Sequence, residues 1–198
     1  MTLYSVVPKD YYEKPTLELS RALIGCVLVH ETPEGPAAGR IVETEAYIGP
    51  VDRAAHSYNY RRTKRTDVMF FPPGHVYMYT MHTHALLNIV SGVEESPEAV
   101  LIRAVEPVAG LELIQKRRHR VRGIQQTNGP GKLTKALGID MSYYGHELDH
   151  PPLYLSPKDY EPAVESGPRV GISGSGEARH YPWRFFESGN PYVSKWRA

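Results

Sequence analysis

Arg40-Ile41-Val42-Glu43-Thr44-Glu45-Ala46-Tyr47-Ile48 is the stretch from which the fold is read. It alternates with period two. Val42, Thr44 and Ala46 are small or β-branched and suit a packed face, while Glu43, Glu45 and Tyr47 project from the other. The strand therefore holds two acids and an aromatic residue in one line, and it ends at Gly49-Pro50.

Upstream, a helix is predicted over Thr16 to Leu23, with Thr16 as N-cap, Leu19, Ala22 and Leu23 on one side and Gly25 as its stop. Cys26 to Val29 reads as a buried strand, and residues 31–36 read as a turn because two prolines and a glycine fall together. Downstream, Val51 to Gly74 is polar and basic, a long surface loop with function. His75 to Thr80 returns to strand, with His75, Tyr77 and Tyr79 on one face. Ala85 to Val90 and Ala99 to Val105 are two further strands, the second placing Leu101, Arg103 and Val105 on one side. Pro107 is expected to open a helix anchored by Leu111 and Ile114. Asn128-Gly129-Pro130-Gly131 leads into a short helix, Lys132 to Leu137, stopped by Gly138. Arg169 to Ile172 and Trp183 to Glu187 complete the strands. Strands joined by hairpins and loops, with short helices between, predict an α+β fold with a mostly antiparallel sheet.

The chain has 198 residues, which suits a single domain over 1–198. Hydrophobic residues at 41% and charged residues at 23% exclude collagen-like and wholly disordered classes. Cys26 is the only cysteine, so a disulfide framework and a Cys-rich zinc site are excluded, and its apolar neighbours suit a buried, inert thiol. No stretch approaches the ~18 apolar residues of a membrane span. The N-terminus lacks the apolar core of a signal peptide, so a cytoplasmic protein is expected, nucleoid-associated if bacterial.

The net charge is only +1, but its distribution is uneven. Between Asp52 and Asp67 the charged residues are Arg53, Arg61, Arg62, Lys64 and Arg65; between Glu112 and Asp140 they are seven cations, Lys132 among them. Two basic islands in a neutral protein form either one polyanion-binding face or two solvated stretches.

Glu45 and Arg103 each lie in a strand with apolar neighbours, where an unpaired charge is costly. They are a buried structural ion pair, two charges on a wet face of the sheet, or a carboxylate that takes a proton from water while a guanidinium orients it. Tyr47, Tyr58, Tyr60, Tyr77 and Tyr79 crowd the region of the first basic island, a combination suited to a flat heterocycle on a phosphate chain, although core packing explains any one of them. His75, His82 and His84 make a weak zinc signal, because no H-E-x-x-H pattern accompanies them and the carboxylates are distant. Gly129-Pro130-Gly131-Lys132 puts backbone N–H groups and a lysine at a helix start, a phosphate grip or simply a tight turn.

At Ile41 to Tyr47, then Gly49-Pro50, Asp52 and Ala55-His56-Ser57, the sequence resembles the alkyladenine (3-methyladenine) DNA glycosylase family. The resemblance continues through Met69-Phe70, Pro73-Gly74, Tyr77-Met78-Tyr79, Leu87-Asn88-Ile89, Val100 to Pro107, Asn128 to Leu137 and the C-terminal stretch Arg169 to Phe185. It implies a curved antiparallel sheet in a single domain, and an enzyme that excises alkylated or deaminated purines from double-stranded DNA without cofactor or metal. By matching motifs, Glu45 would be the general base on the attacking water and Arg103 would position it. Tyr47, His56 and Tyr79 would flank the flipped base, and Asn88 would form the pocket floor. Arg61, Arg62, Lys64, Arg65 and Lys132 would meet the DNA backbone, with the enzyme acting as a monomer.

One segment departs from the family pattern. The family usually places a wedge tyrosine after the strand equivalent to His75–Tyr79, whereas this chain reads Thr80-Met81-His82-Thr83-His84, leaving Met81 or His82 as the intercalating residue. Two rival classes follow from the same residues: a damaged-DNA binding protein without catalysis, and a metal-dependent hydrolase built on the three histidines.

Overall fold

The computed structural model describes residues 4–194. The long second strand organises it. β1 (Val27–Thr32) and β2 (Gly35–Tyr47) form a hairpin joined by only two residues, so the turn is tighter than residues 31–36 suggested. β3 (Val76–Met81), β4 (His84–Ser91) and β5 (Glu98–Ala109) follow as a meander. β6 (Leu153–Ser156), β7 (Val164–Gly167) and β8 (Arg184–Glu187) complete an eight-stranded sheet of order β3-β4-β5-β2-β1-β6, with β8 on β2 and β7 on β8. All pairings are antiparallel and the sheet curls into a half-barrel, as an α+β fold with a curved sheet requires. Three α-helices flank it: α1 (Thr16–Ala22), α2 (Leu111–Arg117) and α3 (Pro130–Leu137).

β2 has β5 along one edge, while the other edge is shared by β1 at its start and β8 at Glu43 to Glu45. The two acids are thus central in the sheet. On the even face, Thr44 donates to the Ser20 carbonyl of α1 at 2.8 Å, and Ala46 joins the main core with Leu19, Leu23, Ile41, Val100 and Ile102. Fully burying each large aliphatic side chain stabilises the fold by about 2 kcal/mol. Cys26 is buried in this core.

Several local expectations are corrected. Thr16 is not a cap: Pro15 precedes the helix, and the Thr16 hydroxyl bonds instead to Ser91 and Glu98. Pro107 lies in β5 beside a register irregularity at Gly39, where a missing N–H is tolerated. The helix begins at Leu111, which is exposed, so Ile114 anchors it with Leu113 partly buried beside it. Residues 169–172 form an irregular segment rather than a strand. Val105 packs in the core with Val100 and Ile102, opposite Leu101 and Arg103, because a bulge interrupts the alternation. Residues 51–74 follow a 3₁₀ turn at Gly49–Val51 and are ordered by two more, and Val68, Met69 and Phe70 bury in a small cluster with Tyr77.

α3 starts with Pro130 at a favoured early position and ends at Gly138, whose left-handed φ of 75° closes the helix. A Cβ on Gly131 would lie 2.5 Å from that of His84, so glycine is what lets α3 begin against the β3–β4 hairpin. Among the described residues no helix is long and apolar enough to cross a membrane.

Candidate active site

Two bulges shape the centre of the β2–β5 ladder. Ile41 faces Val105 and Glu43 faces Ala104, so Val42 is an extra residue; Thr44 then faces Ile102, so Arg103 is extra on the opposite strand. A bulge bends its strand and re-aims the surplus side chain. Arg103 is turned towards both acids: its Nε donates to Glu43 Oε1 at 3.0 Å, and Nη1 lies 3.4 Å from Glu45 Oε1.

Glu45 is wholly buried, one layer behind the cavity wall. The Tyr47 hydroxyl donates to its Oε2 at 2.7 Å, and the Val170 N–H donates to Oε1 at 2.6 Å. Tyr47, Arg103 and Val170 all line the cavity, so each group that holds the carboxylate also faces open space. Burial, followed by the charge of Glu45, pushes the Tyr47 phenol well above its usual pKa, and it stays a donor at neutral pH. Burial works against the Arg103 charge, but Glu45 and Glu43 outweigh it and raise the Arg103 pKa.

The cavity has a volume of about 320 Å³. Tyr77 and Tyr79, alternate residues of β3, present rings 5.7 Å apart, and His56 stands edge-on to Tyr79 at 4.6 Å. His56 Nδ1 pairs with the Tyr77 hydroxyl at 2.8 Å. Burial, together with Arg65 and Arg61, pulls the His56 pKa down to about 4, so the ring is neutral at physiological pH. Burial and then Glu45 push Tyr79 up to about 12. Asn88, opposite Tyr77 on β4, lines the cavity and donates from Nδ2 to the Tyr77 carbonyl at 3.1 Å. Met81 and Pro130 stand at the same cavity, and residues 170–175 contribute a wall. Glu45, Arg103, Tyr47, His56, Tyr79 and Asn88 are therefore assembled around one pocket from five separate segments.

The sequence model of the methylpurine-DNA glycosylase family matches residues 10–191. The chain belongs to this family. It is 62% identical over 190 residues to a Bacillus licheniformis protein, with 96% of each chain covered. It is 56% identical to a Bacillus subtilis protein over 189 residues, again covering 96% of each. A Listeria monocytogenes protein is 46% identical over 196 residues, covering 98% of this chain and 94% of its own. All three are provisionally named 3-methyladenine DNA glycosylases. The protein is thus a DNA glycosylase, a hydrolase of N-glycosyl bonds.

The glycosylase carries its surface cations unevenly committed. Arg61, Lys64 and Arg65 are exposed beside the pocket residue His56. Arg62 is paired at home, with Asp67 at 2.8 Å and Glu95 at 3.1 Å, its guanidinium 4.5 Å over the Phe70 ring. Lys132 bonds to Asn128 and Gln125 at the start of α3. Met81 ends β3 and is 46% exposed; His82 and Thr83 form the two-residue turn into β4, both with positive φ. No group of three or more metal-binding side chains occurs among the described residues.

The sequence reading missed two parts of the glycosylase site. Glu43, noted only as a strand residue, is a hub: besides Arg103 it accepts Arg184 Nε at 2.7 Å and both the Ser194 N–H and hydroxyl at 2.7 Å. Asp52 and Arg169 form a wholly buried ion pair behind Tyr47. Arg184 and Ser194 lie more than a hundred residues from Glu43, and Arg169 as far from Asp52, so no local spacing marks these pairings. The cost of burying a charge is the signal that marks Glu43 and Asp52, as it marks Glu45 and Arg103.

Proposed function

We propose that this glycosylase flips alkylated or deaminated purines out of duplex DNA and hydrolyses the N-glycosidic bond with water activated by Glu45, leaving an abasic site. The observation that carries the reading is the Glu45 carboxylate, buried beside a flat aromatic-walled cavity and held by Tyr47, Val170 and Arg103. Each carboxylate oxygen has two acceptor positions. Tyr47 takes one on Oε2, while Val170 and Arg103 occupy Oε1, which leaves one position on Oε2 for water. Arg103 fixes the carboxylate plane, and Glu45 accepts the water proton as oxygen attacks the sugar carbon.

The bond breaks through an oxocarbenium-like sugar, whose positive charge the same carboxylate stabilises. A purine alkylated on a ring nitrogen is cationic and leaves as a neutral molecule, so one carboxylate suffices. Hypoxanthine is neutral and must gain a proton as it leaves, which makes it the harder substrate. Tyr47, Tyr79 and the neutral His56 enclose the base, aromatic faces favouring a cationic ring. Asn88 reads the exocyclic groups at the pocket floor.

Extrusion of the nucleotide costs a few kcal/mol, least for weakly paired lesions. Met81, exposed at the cavity rim, and His82 beside it are the candidates to fill the vacated space. Arg61, Lys64, Arg65 and Lys132 meet the phosphates, and Arg62, tied to Asp67 and Glu95, orders the loop that presents three of them. Among the described residues no lysine lines the pocket, which supports a reaction without strand cleavage. The protein acts as a monomer.

The test is base release from duplexes carrying one hypoxanthine, one etheno-adenine or one alkylated purine, comparing wild type with Glu45→Gln. The expected result is release by wild type, strand breaks only after alkali, and a loss of at least about 100-fold in the variant. Equal release by the variant, or breaks without alkali, would overturn the mechanism. Salt-sensitive DNA binding with no release from any lesion would instead support a damaged-DNA binder.

A further inference from the structure

Asp52 and Arg169 are the one ion pair among the described residues with both side chains at zero exposure. The guanidinium forks onto the carboxylate, Nη1 to Oδ2 at 2.5 Å and Nη2 to Oδ1 at 2.8 Å. A pair this deep is a poor stabiliser, because desolvating both ions offsets their attraction and an apolar replacement is often neutral. Arg169 Nε, moreover, has no acceptor. The placement of the pair accounts for its presence better than stability does.

Neither residue lines the cavity, yet each holds something that does. Asp52 accepts the N–H groups of Ile48 at 3.3 Å and Ala54 at 3.0 Å, fixing the backbone that leads from Tyr47 to His56. Arg169 donates to the Ala46 carbonyl at 2.9 Å, between Glu45 and Tyr47, and lies 4.7 Å over the Tyr47 ring. The next residue is Val170, whose N–H holds Glu45. Residues 169–172 have no strand ladder of their own, so this fork anchors them.

We propose that Asp52 and Arg169 are positioning residues for hydrolysis: the pair locks the Val170 N–H onto Glu45 and the Tyr47 ring onto the same frame. The carboxylate that activates water and the wall that holds the base then stay in register. Neither residue touches the substrate; both act through Val170 and Tyr47. The inference rests on the reading of Glu45 as general base.

The experiment compares wild type, the charge-free double variant Asp52→Asn/Arg169→Met, the conservative Arg169→Lys, and Glu45→Gln. Single-turnover release is measured on whichever lesion duplex the wild type cleaves fastest, and affinity on the same duplex with a 2′-fluoro, non-cleavable lesion nucleotide. The double variant should unfold cooperatively and bind within about threefold of wild type, yet release base about 100-fold more slowly, the scale of a misplacement near 1 Å. Arg169→Lys should be intermediate, since one ammonium cannot hold Asp52, the Ala46 carbonyl and the Ala178 carbonyl as the fork does. Release within about twofold of wild type in the folded double variant, or rate and affinity falling together in both variants, overturns the proposal. If the double variant does not fold, Arg169→Lys decides by the same split. Loss in Glu45→Gln beside a normal double variant removes this inference and leaves the general base standing; wild-type release by Glu45→Gln removes both.

Discussion

Arg103 Nε donates to Glu43 at 3.0 Å while Nη1 of the same guanidinium lies 3.4 Å from Glu45. One arginine thus ties the acid next to the pocket to a second acid two residues earlier in the strand. Arg184 approaches Glu43 from β8, so two acids and two arginines make a buried group of zero net charge. Replacing Glu43 by Gln leaves Arg103 and Arg184 with one carboxylate between them. Removing one partner of a buried pair costs about 3–5 kcal/mol, and the urea midpoint should fall accordingly. Base release should drop about 10- to 100-fold as Arg103 loses its aim. Unchanged release in a folded Glu43→Gln protein would assign the hub to stability alone.

Acid should destabilise the fold through His56. Its folded pKa of about 4 lies below the unfolded value near 6.5. Between those values the unfolded chain binds a proton that the folded protein does not, so stability rises with pH across that window. The contribution is intact above about pH 6.5 and lost as pH falls towards 4. Allowing for the partial exposure of the ring, the effect is on the order of 2 kcal/mol. Thermal melts of wild type and His56→Gln should differ by a constant amount above pH 6.5, and the wild type should lose stability relative to the variant as pH falls towards 4.

Affinity for undamaged duplex should fall steeply with salt, because phosphate contacts release condensed counterions. Lys64→Ala and Arg65→Ala should each reduce the slope of log affinity against log salt by about 1. Arg62→Ala should lower the slope less directly, since its charge is already balanced by Asp67 and Glu95. Equal slopes for all three variants would place the DNA elsewhere.

The β3–β4 turn carries strain that a substitution can relieve. His82 at φ 46° and Thr83 at φ 70° occupy positions that Asn and Gly fill best in a two-residue hairpin. His82→Asn/Thr83→Gly should raise stability by about 1 kcal/mol. Because it keeps Met81, it also separates the two wedge candidates: retained release assigns the wedge to Met81, and loss assigns it to His82. Met81→Ala should show the opposite outcome.

Much of the site was legible because its strands carry their own pattern. The alternation from Arg40 to Ile48 located β2, and the cost of an unpaired charge singled out Glu45 and Arg103, which the structure brings together. Tyr77 and Tyr79 share a face because they are two residues apart in a strand. The roles of His56 and Asn88 came from the family resemblance, since neither position announces itself by spacing. Bulges are invisible to a period-two reading, so alternation alone places Val105 with Leu101 and Arg103 although the structure packs it in the core. Pro107 misled for a related reason: an early-helix signal is local, and an irregular strand end accommodates the same residue.

The three groups that complete the buried acids from outside β2 and β5 all arrive late in the chain: the Val170 N–H, the Arg184 guanidinium and Ser194. Contacts spanning 125 to 151 residues form slowly, because the loop between them must close first. During synthesis from the N-terminus, β1 to β6 are exposed before these groups exist. A nascent chain that has reached residue 168 therefore holds Glu43 and Glu45 without them, and its pocket has one wall missing. Assembly of the Glu45 surroundings therefore waits on residues 170–194, and a chain that stops short of them lacks contacts that hold both acids.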